Sequence, residues 1–223
     1  MKINSRLKLI GDLVSDNSVC LDVGCDHAFL DIYLEKSNRG IKAIASDIAE
    51  GPLEAARSNI KRENLEGKIE VRLGNGLDTY TNDIDTVVIS GMGGRNMIGI
   101  FKNNIKKLKN IETLILSPNN YQEDVKLFLT KNGFYIDNEE FVREKKFIYQ
   151  VIVFKKGKKR YTKRQMLFGP IFLIKKGPLF KEYYEREYKT REIMLEFLPK
   201  RFRLKRYKLK KEINLIKKEL EEI

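Results

Sequence analysis

The feature that most constrains this chain is an alternation of two hydrophobic periods between residues 19 and 132. Short runs rich in β-branched and aliphatic residues, at 19–25, 43–48, 69–73, 85–90 and 111–117, take turns with helical patterns at 28–36, 52–63, 95–108 and 122–132. Several of the short runs are continuously apolar, which suits strands covered on both faces. Pro52 suits a first helical turn, and Gly133 suits the residue just past a helix end. Strand and helix in strict turn predict a parallel α/β sheet with right-handed crossovers. After Gly133 the pattern changes. Residues 134–144 and 147–154 are strand-like, and only Lys145 and Lys146 separate them, too few for a crossover, so an antiparallel hairpin is expected.

The flanks carry a different signal. Residues 1–14 place Leu7, Ile10, Leu13 and Val14 at helical spacing between charges, an amphipathic helix without the continuous apolar core of a signal peptide. Residues 155–161 are polar, basic and contain Gly157, so they read as a linker between domains at 1–156 and 157–223. Beyond it strand patterns cease. Thr162 suits a helix cap, Gly169-Pro170 and Gly177-Pro178 punctuate, and 179–198 forms a long helix with Phe180, Tyr184, Tyr188, Leu195 and Leu198 on one face. Pro199 interrupts it. Residues 201–223 then repeat Leu209, Ile213, Ile216, Leu220 and Ile223 at heptad spacing, so an antiparallel α-helical coiled-coil hairpin is expected.

Charge divides along the same line. Residues 1–154 hold 21 Lys and Arg against 22 Asp and Glu, whereas residues 155–223 hold 23 against 9. The whole excess of +13 therefore lies in the last third. That points to a polyanion, nucleic acid first and an acidic membrane surface second, against the simpler reading of a solvated coiled coil. An apolar fraction of 42% excludes wholesale disorder. The longest strictly aliphatic or aromatic runs, such as 171–174, are four residues, far short of the roughly 20 a bilayer span needs. Cys20 and Cys25 are the only cysteines, with no CxxC spacing or histidine partner for a metal, and a reducing, cytoplasmic setting is expected.

In an open parallel sheet, ligands bind beyond the carboxyl ends of the strands where the strand order reverses, and the informative residues sit at strand ends. The first strand runs into Asp22-Val23-Gly24-Cys25-Asp26-His27, where Gly24 permits close backbone approach and the next helix start offers N–H groups to an anion such as a methionine carboxylate; a plain tight turn competes. The second ends at Asp47 and Ile48, and Asp47 follows Gly24 by 23 residues, a spacing that reaches ribose hydroxyls; a helix-capping Asp competes. The dinucleotide pattern Gly-x-Gly-x-x-Gly is absent. After the third strand Gly74-Asn75-Gly76 offers an amide to an adenine edge, or simply a turn. The fourth ends in Ser90-Gly91-Met92-Gly93-Gly94, where three glycines invite a ligand against the backbone or a mobile loop. The fifth ends in Ser117-Pro118-Asn119-Asn120-Tyr121, two amides and an aromatic face suited to a nucleobase, or an Asn-rich turn before a helix.

Seven strands closing in a hairpin have the outline of a class I methyltransferase. Asp22-x-Gly24-x-Asp26-His27, Gly74-x-Gly76-Leu77, Gly91-Met92-Gly93-Gly94 and Ser117-Pro118-Asn119-Asn120, followed by Phe168-Gly169-Pro170 and a helical hairpin, resemble the bacterial tRNA adenine-N1 methyltransferases that modify adenine 22. The resemblance spans essentially the whole chain. It implies a Rossmann-like sheet of order 3-2-1-4-5-7-6, a C-terminal coiled-coil domain, S-adenosylmethionine as donor without a metal, and tRNA as substrate. Asn75 and Ser117 stand where that family usually has Asp and Gln. The donor set is then Asp22, Gly24, His27, Asp47, Ile48, Asn75, Gly76, Ser90, Gly91, Met92 and Gly93. Around the base, Tyr121 would stack, Asn119 or Asn120 would bond its edge, and Asp26 would lie near the methyl; His27 has a structural or a catalytic role. Lys200, Arg201, Arg203, Lys205, Arg206 and Lys208 would hold the RNA. N1 carries an in-plane lone pair, so no covalent enzyme intermediate is needed, but the base must first be exposed. A methyltransferase with another RNA or non-RNA substrate, and a non-catalytic RNA-binding Rossmann protein, are the alternatives. No membrane and no obligatory protein partner are expected.

Overall fold

The alternating strands assemble in the computed structural model, which describes residues 3–223. After helix α1 (Ser5–Leu13) come β1 (Val19–Val23), α2 (Phe29–Lys36), β2 (Lys42–Asp47), α3 (Glu50–Arg62), β3 (Glu70–Leu73), a 3-10 turn (Gly76–Thr79), β4 (Thr86–Ser90), α4 (Gly94–Asn103), α5 (Ile105–Leu108), β5 (Thr113–Ser117), α6 (Gln122–Lys131), β6 (Phe134–Glu144) and β7 (Phe147–Lys156). The sheet order is β3-β2-β1-β4-β5-β7-β6, with the first five strands parallel and the β6–β7 hairpin antiparallel to β5, as the sequence led us to expect. Because β1 has β2 on one side and β4 on the other, the chain reverses its progress across the sheet at β1. The crossovers there leave for opposite faces and open a crevice at the strands' carboxyl ends.

Two local departures have physical causes. The single helix expected over 95–108 is two, because Asn104 leaves helical geometry (φ −123°, ψ 35°) and its side-chain amide bonds the Ile100 carbonyl instead. The first helix starts at Ser5, where the Asn4 side chain accepts the Leu7 N–H; the first two residues of the expected 1–14 helix lie outside the described residues.

The chain divides into two units between Tyr161 and Thr162, five residues after the boundary the linker composition suggested. Residues 157–161 stay with the sheet because the Gly157 N–H donates to Gly133 and the Ile136 N–H donates to the Tyr161 hydroxyl. The second unit is helical: α7 (Lys163–Phe168), α8 (Phe172–Lys175), α9 (Pro178–Phe197) and α10 (Arg203–Glu221). Thr162 and Gln165 form a reciprocal capping box at its start. Phe168, Phe180 and Tyr184 cluster with ring centroids 4.7 to 6.2 Å apart, and the Tyr184 hydroxyl donates to the Leu167 and Phe168 carbonyls. Helices α9 and α10 pack as an antiparallel hairpin, closed by Arg191 on Glu212 and by Arg206 on the Leu195 and Leu198 carbonyls. Of the heptad positions, Ile213 and Ile216 are buried. At the end of α10 the buried side chain is Glu219, clasped by Arg164 at 2.7 and 2.8 Å and by Lys176 at 2.8 Å.

In the first unit one ion pair is wholly buried. Lys126 of α6 and Glu139 of β6 are both 0% exposed with Nζ and Oε1 3.9 Å apart, which fixes the helix that begins at Tyr121 against the sheet. Burial lowers the Lys126 pKa, and the charge of Glu139 opposes that shift. Removing either partner takes away a buried counter-charge. Lys126→Met is expected to lower stability by about 3 to 5 kcal/mol, and Lys126→Met with Glu139→Leu to recover most of it. Urea denaturation of the two variants checks this; a double variant no more stable than the single one would refute the pairing.

Candidate active site

One wall of the crevice is built by the loops after β1, β2 and β3. Gly24, Asp26 and Ala28 all take left-handed conformations (φ 78°, 52° and 54°), coiling the loop into the start of α2. The N–H groups of Gly24 and Cys25 both donate to the Ser46 carbonyl, at 2.8 and 2.9 Å, tying the end of β1 to β2. A Cβ on Gly24 would collide with the methyl of Met92, so the motifs after β1 and β4 meet directly. Asp47 accepts the Ala49 N–H at 3.1 Å in a turn before α3 but does not cap that helix, whose N-cap is Ala49, and its neighbour Ile48 is 66% exposed, an apolar face beside a carboxylate. Asn75 is exposed and makes no cap bond to the turn it precedes. Beside it a groove of about 400 Å³ runs between Asn75 and Asp78 on one side and Arg95, Asn96 and Asn103 on the other.

Beneath this wall lie carboxyls that the sequence reading treated incompletely. Asp31, in the first turn of α2, is 0% exposed, and neither of its carboxyl oxygens has a hydrogen-bond partner. Burial raises its pKa to about 7. Asp22 is raised as well, by burial first and then by the charges of Asp31 and Asp47. The same burial and the same carboxylates push the Cys20 and Cys25 thiols up, so neither cysteine supplies a thiolate nucleophile.

The opposite wall is formed by the loops after β4 and β5, laced together by amides. The Asn119 N–H donates to Met92 O at 2.9 Å and its side-chain amide to Gly91 O at 2.5 Å. The Gly94 N–H is shared between the carbonyl and the side-chain Oδ1 of Asn120, both at 3.2 Å. A Cβ on Gly94 would lie 2.5 Å from Asn120 O and 3.0 Å from Tyr121 O, so only glycine permits this approach. Gly91 needs glycine for another reason, its φ of 80°. Gly93 has an ordinary φ, but a Cβ there would stand 3.3 Å from Asn120 Oδ1, tight enough that the Asn120 side chain would have to give way. The paired ends Ser90 and Ser117 carry buried hydroxyls without partners.

Asn119 and Asn120 thus hold the loops, leaving Oδ1 of the first and the NH₂ of the second for a ligand. Tyr121 is 42% exposed, but the guanidinium of Arg95 covers one ring face at 4.1 Å, so one face remains for stacking. Asp26 and His27 lie on the rim, 3.5 Å apart with side chains 70% and 47% exposed, and the His27 ring stacks on Phe29. Gly76 is buried against Ile100, where its φ of 57° shapes the turn. The sequence reading missed Asp31 and Arg95, since a polar residue inside an apolar helix start and an arginine after a glycine loop carry no local signature.

In the helical unit, Lys200, Arg201, Arg203, Lys205 and Lys208 are exposed around the hairpin tip. Arg206 is a correction to the expected RNA-binding set: its guanidinium is used inside the hairpin on the last carbonyls of α9, the groups a helix end leaves unpaired. Between the cations stand Phe197 (77% exposed), Leu204 (68%) and Tyr207 (56%). No helix among the described residues is long and apolar enough to cross a membrane.

The strand order together with glycine-rich loops gathered at the switch point defines a class I methyltransferase. The model of one family, tRNA (adenine(22)-N(1))-methyltransferase, matches residues 20–218, and the chain belongs to that family. The tRNA (adenine(22)-N(1))-methyltransferase of Bacillus subtilis (strain 168) is 28% identical over 203 residues, 88% of this chain and 85% of that protein. A Streptococcus pneumoniae structure described as a candidate tRNA (m1A22) methyltransferase in complex with S-adenosyl-L-methionine is 35% identical with a TM-score of 0.89, over 98% of this chain and 100% of that one. Mycoplasma capricolum TrmK, solved with S-adenosyl-homocysteine, is 28% identical with a TM-score of 0.85, over 99% of both chains. The chain is accordingly an enzyme that methylates adenine N1 in tRNA.

Asp31 makes stability depend on pH. Unfolded, it releases its proton near pH 4; folded, it holds it to about pH 7. Between these values the folded state binds more protons, so its contribution to stability is full below pH 4 and is lost as pH rises through 7. Asp31→Asn is expected to melt several degrees higher than wild type at pH 8 and nearly with it at pH 4, by thermal denaturation. An equal shift at both pH values would contradict the assignment.

Proposed function

We propose that the β1–β3 wall binds S-adenosylmethionine while the β4–β5 wall holds the target adenine of tRNA. The observation that carries this reading is the meeting of four motifs, distant in sequence, at the one edge where the strand order reverses. The residues fit the donor: Gly24 gives a backbone cradle under Met92, Asp47 suits ribose hydroxyls, and exposed Ile48 with Asn75 suits a purine face and edge. Asp22, His27 and Gly76 complete the wall, and Ser90, Gly91 and Gly93, in the β4 loop of the opposite wall, border the donor where Gly24 meets Met92. The donor supplies a methyl group on a positively charged sulfur, open to in-line displacement by a nucleophilic lone pair.

The chain's own residues position the other reactant. Tyr121 stacks on the base with its free face, the Asn119 carbonyl oxygen accepts from the exocyclic amine, and the Asn120 NH₂ bonds a ring nitrogen other than N1. Holding N1 in line is the main source of acceleration, since orientation alone can be worth roughly 7 to 11 kcal/mol. Asp26, on the rim, offsets the positive charge the base gains on methylation. Lys200, Arg201, Arg203, Lys205 and Lys208 bind tRNA phosphates, and Phe197, Phe202 and Tyr207 stack on unpaired bases. The enzyme works in the cytoplasm, where its substrate is.

The test uses the full chain, S-adenosylmethionine and unmodified tRNA transcripts. Nucleoside mass spectrometry should show 1-methyladenosine with adenine at position 22 and none with guanine there. A methyl group on another position or nucleoside would refute the reading. For the basic hairpin, Lys200→Glu with Arg201→Glu and Lys205→Glu should reduce the slope of log affinity against log salt by about 2 to 3. Equal slopes would make those charges scaffolding.

A further inference from the structure

We propose that Arg6 is a phosphate-binding residue of the acceptor wall, engaging a backbone phosphodiester of the RNA nucleotide whose base enters the cleft. The proposal deepens the tRNA reading above and rests on it. Arg6 lies on α1, a helix read from the sequence only as an amphipathic lead-in. Its guanidinium carbon stands 4.3 Å from the centre of the Tyr149 ring. Tyr149 is on β7, three residues before Ile152, and Ile152 pairs antiparallel with Leu116 near the end of β5. Tyr149 is therefore beyond the carboxyl end of β5, beside the 117–121 loop. On its other side, Arg6 Nη2 lies 3.5 Å from the position a Cβ on Gly91 would occupy. The guanidinium thus spans from the β7 edge to the first residue of the glycine loop.

Arg6 lacks the counter-ion that several arginines of this unit have. Arg39, Arg57 and Arg72 of the same unit are each paired with a carboxylate, Asp16, Glu50 and Glu70. Arg6 Nε is buried and has no hydrogen-bond partner, and no carboxylate pairs with the guanidinium among the described residues. A half-buried cation without a counter-ion invites an anion. The helix that carries it is held at its start, since the Ser5 N–H donates to Glu144 of β6 at 2.7 Å and Asn4 caps the first turn. The cation is thereby preorganised rather than searching on a free chain. A planar guanidinium stacked on an aromatic ring keeps its edge N–H groups for a forked contact, the geometry that phosphate oxygens accept. The donor's own carboxylate is assigned to the β1 loop, across β4 and β5 from Tyr149, so the nucleic-acid backbone is the anion this position fits.

The test compares wild type, Arg6→Gln and Arg6→Lys as full chains by tRNA anisotropy across a salt series, S-adenosylhomocysteine calorimetry and steady-state methylation. Arg6→Gln is expected to raise the KM for tRNA about tenfold, and to reduce the salt slope by about 0.7 to 0.9, one phosphate contact. Affinity for S-adenosylhomocysteine should stay within twofold, and Arg6→Lys should recover part of the loss because it keeps charge without the fork. Unchanged KM and slope would overturn the proposal and leave Arg6 as packing on Tyr149. A loss of S-adenosylhomocysteine affinity would overturn it in favour of the donor carboxylate. Wild-type protein that binds tRNA without methylating it would sink the assigned activity but leave the anisotropy comparison intact.

Discussion

The lacing of two loops by asparagine amides is the constraint on which the acceptor wall depends. Main-chain and side-chain bonds from Asn119 to Met92 and Gly91, and from Gly94 to Asn120, convert two separate strand ends into one surface. Because the Gly94 position touches the backbone of Asn120 and Tyr121, the spacing of that surface is set by the lack of a side chain there. Tyr121 then enters α6 in a left-handed conformation (φ 54°), with Arg95 on one face. Such a conformation costs about 1 kcal/mol or more for a bulky residue and persists only where its surroundings hold it. Here the buried Lys126–Glu139 pair anchors the same helix from below.

The two units divide the electrostatic work. The sheet unit, residues 1–161, holds 26 Lys and Arg against 22 Asp and Glu and uses its polarity in directed contacts: amides, a few carboxylates and arginines without a counter-ion among the described residues. The helical unit holds most of the cationic excess, 18 Lys and Arg against 9 Asp and Glu, though part of it is structural, with Arg164 and Lys176 on Glu219, Arg191 on Glu212, and Arg206 on the end of α9. What remains at the hairpin tip suits phosphates, which position a nucleic acid without reading its sequence. Selection of one adenine therefore belongs to the cleft and to the RNA's own shape.

Most of the fold was legible because its strongest rules are local. Buried parallel strands must be short and apolar, so the strands were found within a few residues, and the two lysines between 144 and 147 could only make a hairpin. The glycine and asparagine motifs were legible because strand ends are where such folds bind ligands. What escaped notice depends on partners remote in sequence. Nothing near Arg6 announces Tyr149 or Gly91, and a heptad count cannot foresee that Glu219 is buried by cations from α7 and the end of α8. Asn119 and Asn120 were read as base contacts, yet half of each amide is used inside the protein, because the β4 loop comes within bonding distance only in three dimensions.

The central claim is that the two walls are separable, one for the donor and one for the base. Calorimetric titration of S-adenosylhomocysteine into Asp47→Ala and Asn119→Ala tests it most directly. Loss of a charge-assisted bond is worth roughly 1.5 to 3 kcal/mol, so Asp47→Ala should weaken binding about tenfold or more, and Asn119→Ala should leave it within about twofold. Equal weakening in both variants, or a larger effect at Asn119, would contradict the division of the cleft.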